Sequence, residues 1–243
     1  MLAEPTGQLL IVQPGEKLPS LSGVPGDFAD WVRLGAGLAE NRVRVVKPHL
    51  GEALPPADAF DAVVITGSAA MVTDNADWIS TTSRWLVDTV EADKAVLGIC
   101  FGHQLLAQAL GGEVTYNPRG TEVGSVTVTL EGTAAQDPLF EIFPRQMDLF
   151  VSHRQIVKRL PEDATSLARS AMDDHQAFVL GRRAWGVQFH PEFSAEITRA
   201  HVAYYADTLA AEGTDPEEAA RNVRESVFGD RLLRRFCKLA KLE

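Results

Sequence analysis

The sequence predicts an α/β fold: a single domain with a mostly parallel central sheet, helices on both faces, an antiparallel β extension and a C-terminal helical tail. Three observations predict it. Over residues 8–110, short apolar runs alternate with stretches of helical period, the pattern of strand, crossover helix and parallel strand. Over 113–180 the helical period vanishes and short strand-like runs follow one another, separated by turn residues. Beyond Phe193, alanine, charge and helical spacing take over. A chain of 243 residues, 45% of them apolar, suits one domain spanning 1–194 with a helical extension, 195–243, packed on it.

In chain order, residues 8–13 form an apolar strand stopped by Pro14-Gly15, and a Pro/Gly/Ser-rich loop runs on to Gly26. Open α/β sheets place function at strand ends, so this loop borders a site, serves as a connection or contacts a partner. Phe28, Trp31, Val32, Leu34 and Leu38 give a helix one apolar side, and residues 42–46 read as the next strand. Residues 61–66 are a further buried strand running into Gly67-Ser68-Ala69-Ala70. Residues 75–92 carry Trp78, Ile79, Trp85, Leu86 and Val90 at helical intervals, a stripe expected to pack in the core. After Gly112, strands are expected at 113–116, 123–130, 147–151, 166–171 and 176–180. The tail reads as helices around Ile197 to Tyr205, from Asp215-Pro216, and over 223–242; they cover the sheet or join copies of the chain. Cys237 sits among apolar residues there and reads as packing.

Between these elements lies the stretch that organises the chain. Ala95-Val96-Leu97-Gly98-Ile99 is a buried strand, Leu105, Leu106, Ala109 and Leu110 recur with helical spacing, and Cys100 stands at the turn between them. Gly-x-Cys-x-Gly is the thiol counterpart of the Gly-x-Ser-x-Gly elbow, whose small flanking residues let a nucleophile project from the sheet edge. Aligned peptide dipoles at a helix N-terminus also favour thiolate over thiol. Far downstream, Trp185-Gly186-Val187-Gln188-Phe189-His190-Pro191-Glu192 reads as a strand ending in His-Pro-Glu. In an extended segment i and i+2 share a side, which puts Glu192 near the His190 imidazole. Cys100, His190 and Glu192 thus have the composition of nucleophile, base and orienter.

Gly98-Ile99-Cys100-Phe101-Gly102-His103-Gln104 together with Gly186-Val187-Gln188-Phe189-His190-Pro191-Glu192 resembles the class I (triad) glutamine amidotransferase family, most closely its GMP-synthase glutaminase branch. The resemblance implies an α/β domain in which a Cys-His-Glu triad hydrolyses a side-chain amide. It implies an oxyanion hole made by the N–H groups of Ser68 and Phe101, with Gly67 providing the turn. Ser68 and Ala69 depart from the family's Gly-Gly-Pro, and a side chain at Ser68 narrows the conformations open to the loop. By the same resemblance Gln104, Ser152 and His153 line the substrate pocket. The branch pattern there is Ser-His-Gly-Asp, whereas this chain has Ser152-His153-Arg154-Gln155. The acid that would hold a substrate ammonium is therefore missing unless another carboxylate supplies it. His153 has a competing reading as a hydrogen-bonded structural histidine, and His49, His175 and His201 read as structural or surface residues.

The balance of 23 basic against 33 acidic residues, net −10, argues against nucleic-acid and anionic-membrane partners. Two distant cysteines make a disulfide framework improbable. With no leader pattern at Met1-Leu2-Ala3-Glu4-Pro5 and no membrane-length apolar run, a cytoplasmic protein is expected. No cofactor or metal is expected, because no ligand-spaced set accompanies His103 or His190 and a thiolate with a base suffices. Neither a phosphate-binding loop nor the ATP-pyrophosphatase loop of GMP synthase occurs, so this chain alone does not aminate a nucleotide. The reading is a glutaminase that releases ammonia from glutamine through a cysteine thioester for a separate synthase. Its alternatives are a free-standing hydrolase of γ-glutamyl peptides or related amides, and a non-catalytic regulatory module.

Overall fold

A computed structural model describes residues 7–74 and 76–242. The N-terminal segment read as lacking a leader, Asn75 at the head of the 75–92 helix, and the last residue of the 195–243 extension lie outside the described residues.

The elements follow in the order β1 (Leu9–Val12), α1 (Phe28–Ala36), β2 (Val43–Val46), β3 (Ala62–Ile65), α2 (Asp77–Glu91), β4 (Ala95–Ile99), α3 (Phe101–Ala109), β5 (Glu113–Tyr116) and β6 (Glu122–Leu130). They continue with β7 (Gln146–His153), β8 (Gln155–Arg159), β9 (Ala164–Arg169), β10 (Ala177–Leu180), β11 (Ala184–Val187), α4 (Ala195–Tyr204), α5 (Ala206–Ala211), α6 (Pro216–Asn222) and α7 (Phe228–Leu239). The main sheet runs β2-β1-β3-β4-β11-β10-β9-β6-β7. Strands β2, β1, β3, β4 and β11 are mutually parallel, and β10, β9, β6 and β7 extend the sheet antiparallel. Strand β8, which the sequence reading passed over, pairs with β5 in a separate two-stranded sheet.

The central strands are apolar at every position because both faces are covered. Along β1, Leu9 and Ile11 join Ala29 and Val32 of α1 and Leu232, Leu233 and Phe236 of α7 in one core. Leu10 and Val12 face the opposite way, joining Ile79 and Leu86 of α2 and Phe101 and Leu105 of α3. Each such fully buried Leu or Phe contributes about 1.5–3 kcal/mol. Helix α1 starts at a capping box, the Asp27 and Asp30 carboxylates accepting from the backbone of each other's end, and stops at Gly37 with φ 72°. Helix α4 starts at Ser194, whose hydroxyl accepts from the N–H of Ile197. Among the described residues no helix is long and apolar enough to cross a membrane.

Strands β4 and β11 are direct neighbours, Ile99 opposite Val187, so the residues that follow them leave the sheet side by side. The long connection between them is absorbed by the antiparallel ribbons. The end of β7 returns to the same place: the Phe150 carbonyl accepts the His190 N–H at 2.7 Å.

Candidate active site

Cys100 caps the N-terminus of α3 with φ 50° and ψ −102°, a conformation that L side chains rarely adopt and that costs about 1–3 kcal/mol. Its N–H bonds the Val187 carbonyl of β11 at 2.8 Å, and its own carbonyl accepts from the N–H of Gln104. The flanking glycines are required by space. A Cβ at Gly98 would lie 2.4 Å from the Gly102 carbonyl oxygen, and one at Gly102 would lie 2.3 Å from the Ile65 carbonyl oxygen. The helix N-terminus is therefore pressed against β4 and the end of β3, which turns the thiol outward.

The Cys100 thiol and the imidazole of His190 line the same cavity, close enough for the sulfur to raise the imidazole's pKa, and the sulfur lies 3.7 Å from the carbonyl oxygen of Ser152. His190 Nδ1 lies 2.8 Å from Glu192 Oε1, and both side chains are buried. Strand β11 ends at Val187, so this contact does not come from extended alternation. It forms in a tight turn through Pro191, closed by the Phe193 N–H on the His190 carbonyl at 3.4 Å. The Phe193 ring stacks on the imidazole with centroids 3.9 Å apart. Burial works against a charged His190, but the carboxylate of Glu192 and the Cys100 sulfur outweigh it and raise the imidazole to about 10.

Gly67 stands beside the ring. A Cβ there would lie 2.8 Å from His190 Cε1, so glycine is needed at this point for room, and its φ is not in the left-handed range. Ser68 is likewise outside that range, so its side chain does not strain the loop. Its hydroxyl instead fixes the loop, donating to the Pro14 carbonyl at 3.0 Å and accepting from the Ala70 N–H at 3.1 Å. Phe101 turns its ring into the core against Trp78, and its N–H belongs to the first turn of α3, where the helix itself supplies no acceptor.

These residues surround a cavity of about 30 Å³ lined by Ser68, Ala69, Cys100, Ser152, His190 and His201, with Tyr205 from the helical tail and Glu16, Leu18 and Phe28 from the segment after β1. Two residues assigned to the pocket by resemblance point elsewhere. Gln104, one turn along α3, donates to the Gln155 carbonyl at 2.8 Å and to the Gln188 side chain at 3.0 Å. His153 is buried with Nε2 2.9 Å from Glu122 Oε2 and Nδ1 3.0 Å from the Gln155 carbonyl oxygen. Burial opposes a charge on His153, yet the hydrogen bond and charge of Glu122 raise its pKa. The Gln155 side chain donates to the Thr73 hydroxyl at 2.7 Å.

His201 is placed differently from its reading as structural or surface. It lines the cavity, its Nδ1 is 2.8 Å from the Ser152 hydroxyl, and burial together with the nearby His190 charge holds it neutral, at about 3. Glu16 is the acidic residue of the lining, tied to Lys47 Nζ at 2.8 Å. Neither had a motif to mark it. The cue in the sequence was the loop's position after β1, which left it beside a sheet-edge site. Among the described residues no cluster of three or more His, Cys, Asp or Glu is arranged to hold a metal ion.

The chain is similar to gamma-glutamyl peptidase 4 of Arabidopsis thaliana, 32% identical over 142 residues, which are 58% of this chain and 57% of that protein. The matched stretch thus spans a little over half the length of that relative. It is also 36% identical over 149 residues to the glutamine-hydrolyzing GMP synthase of Aeropyrum pernix, 59% of this chain but 26% of that one. A solved glutamine amidotransferase from Thermotoga maritima shares the fold, with a TM-score of 0.77, 22% identity, and coverage of 97% of this chain and 99% of that chain. The model of the glutamine amidotransferase class-I family matches residues 36–205, and the chain belongs to that family.

Proposed function

We infer that the chain hydrolyses the γ-amide of glutamyl compounds through a thioester on Cys100. The observation that carries this reading is that Cys100 and His190 line one cavity while Glu192 holds the imidazole from behind at 2.8 Å. His190 takes the thiol proton, and the thiolate forms a bond to the amide carbon while the carbonyl electrons move to oxygen. The N–H groups of Ser68 and Phe101 hold that oxyanion; one such donor is worth about 3 kcal/mol of transition-state stabilisation. Collapse breaks the carbon–nitrogen bond, and the leaving amine departs with the proton from His190. Water then gives a proton to His190 as its oxygen attacks the thioester, releasing the γ-carboxylate and the thiolate. Glu192 orients the ring and favours its cationic form.

Glu16 supplies a carboxylate for a substrate α-ammonium where Gln155 cannot. The cavity has room for only one or two water-sized molecules.

Two forms of the activity are compatible with this chemistry. The likeness to a γ-glutamyl peptidase and the Gln155 substitution favour a free-standing amide hydrolase. The likeness to a GMP synthase favours a glutaminase that feeds ammonia to a synthase on another chain. Incubation with a glutamine-like chloroketone should add one adduct, mapped by mass to Cys100 and absent from Cys100→Ala. Purified chain should release ammonia or amine from γ-glutamyl amides, and Cys100→Ala and His190→Ala should release none. Full activity in Cys100→Ala would remove the mechanism.

A further inference from the structure

Phe193 is 7% exposed and is not among the residues that line the Cys100 cavity, yet its ring lies flat on the imidazole of His190, centroids 3.9 Å apart and planes 14° from parallel. The contact follows from the local path of the chain. His190, Glu192 and Phe193 leave one tight turn, closed by the Phe193 N–H on the His190 carbonyl, so base, carboxylate and ring cover are delivered together. Three further rings pack on the phenyl group: Phe28 stacked at 6.1 Å, Trp31 edge-on at 6.0 Å and His201 at 4.8 Å. Packing from α1 and α4 therefore sets the phenyl plane.

The Glu192 bond and this stack constrain different motions. A hydrogen bond at Nδ1 fixes one edge of the imidazole but leaves the ring free to tilt about the line from Nδ1 to the carboxylate oxygen. A flat surface against one face removes the tilt and so fixes the direction of Nε2. The stack acts on charge as well. The face of a phenyl ring is the negative pole of its quadrupole and attracts a cation lying on it, most strongly where water is kept out. His190 is buried, and Glu192 and Cys100 favour its charged form. The other titratable groups around it are His201, neutral and 6.4 Å away between ring centroids, and Glu16 and Tyr205 of the cavity lining.

We propose that Phe193 is a positioning residue for the reaction: its ring fixes the plane of the His190 imidazole and holds the imidazolium against its face. This rests on His190 acting as the base. The test replaces Phe193 by phenylalanine carrying one, two or three ring fluorines, which keep the shape while drawing charge from the face, and by Leu, which removes the face. In the full chain with nitrogen-15 histidine, NMR reads the pH at which His190 loses its proton, its signal being the one absent from His190→Gln. Each added fluorine should lower that midpoint, by about half a unit in total, and Phe193→Leu should lower it by about one unit. Thermal midpoints should be unchanged across the fluorinated set, which separates the shift from lost packing. With γ-glutamyl p-nitroanilide, Phe193→Leu should lose about tenfold in kcat with KM little changed, whereas the fluorinated chains, which keep the plane, should stay within about threefold. A His190 midpoint that fluorination leaves unchanged, or a Phe193→Leu chain with the kcat of the unaltered protein, overturns the proposal. If Phe193→Leu does not fold, the fluorinated series decides alone. If the unaltered chain cleaves no γ-glutamyl amide and the chloroketone leaves Cys100 unmodified, the hydrolase reading falls, and the NMR midpoints still decide whether Phe193 holds the imidazolium.

Discussion

Glu192 Oε1 lies 2.8 Å from His190 Nδ1 across a turn of three residues, with neither side chain open to solvent. Burial alone would push the imidazole below its ordinary value of 6.5, so its rise to about 10 depends on the Glu192 charge and the Cys100 sulfur. Glu192→Gln should therefore lower the alkaline limb of the pH profile of kcat/KM and reduce kcat by roughly 10²-fold. The sign for stability follows from a raised folded value. The contribution is complete below pH 6.5 and is lost as pH climbs toward 10. Thermal midpoints of the two proteins should accordingly differ most at pH 6 and converge on the alkaline side.

The backbone at Cys100 provides a second check. With φ at 50°, a Cβ at this position is strained whatever the side chain beyond it. Cys100→Ala keeps the strain and Cys100→Gly removes it. Urea denaturation should find Cys100→Gly more stable than Cys100→Ala by about 1 kcal/mol, although both should be inactive.

Gly67→Ala should damage the site more than the fold. Its methyl group would sit 2.8 Å from His190 Cε1, so either the loop or the ring must give way and their relative placement changes. The variant should retain a cooperative unfolding transition while kcat falls at least tenfold, because a misplaced base is a poor one. A circular dichroism melt beside an amide-release assay separates the two effects.

Glu122 and His153 form a buried pair 2.9 Å apart, with 4% and 1% of the side chains exposed. Glu122→Ala would leave that imidazole without its carboxylate and should destabilise the chain by about 3–5 kcal/mol at pH 6, measured by chemical denaturation. Because Glu122 raises the His153 pKa, the loss should shrink as the pH rises and the ring becomes neutral in both states.

The elbow was legible from sequence because two periods and two glycines coincide there, and the space those glycines leave is filled by backbone in the structure. Strands β1, β3 and β4 were legible for a related reason: apolar at every position, they suit only a sheet covered on both faces. Strand β8 was not, since Lys158 and Arg159 dilute its pattern and its partner lies outside the main sheet. The direction of the Gln104 side chain depends on how α3 is rotated against Gln188, and that of His153 on a carboxylate from another strand. His201 reaches the cavity only because the tail folds back over β7, a long-range contact that no local pattern announces.

The pairing of β4 with β11 also orders events on the ribosome. Cys100 leaves the exit tunnel well before the segment that carries His190, so through much of translation the sulfur has no imidazole beside it. A chain that ends before β11 lacks both that imidazole and the strand that fills the place between β4 and β10.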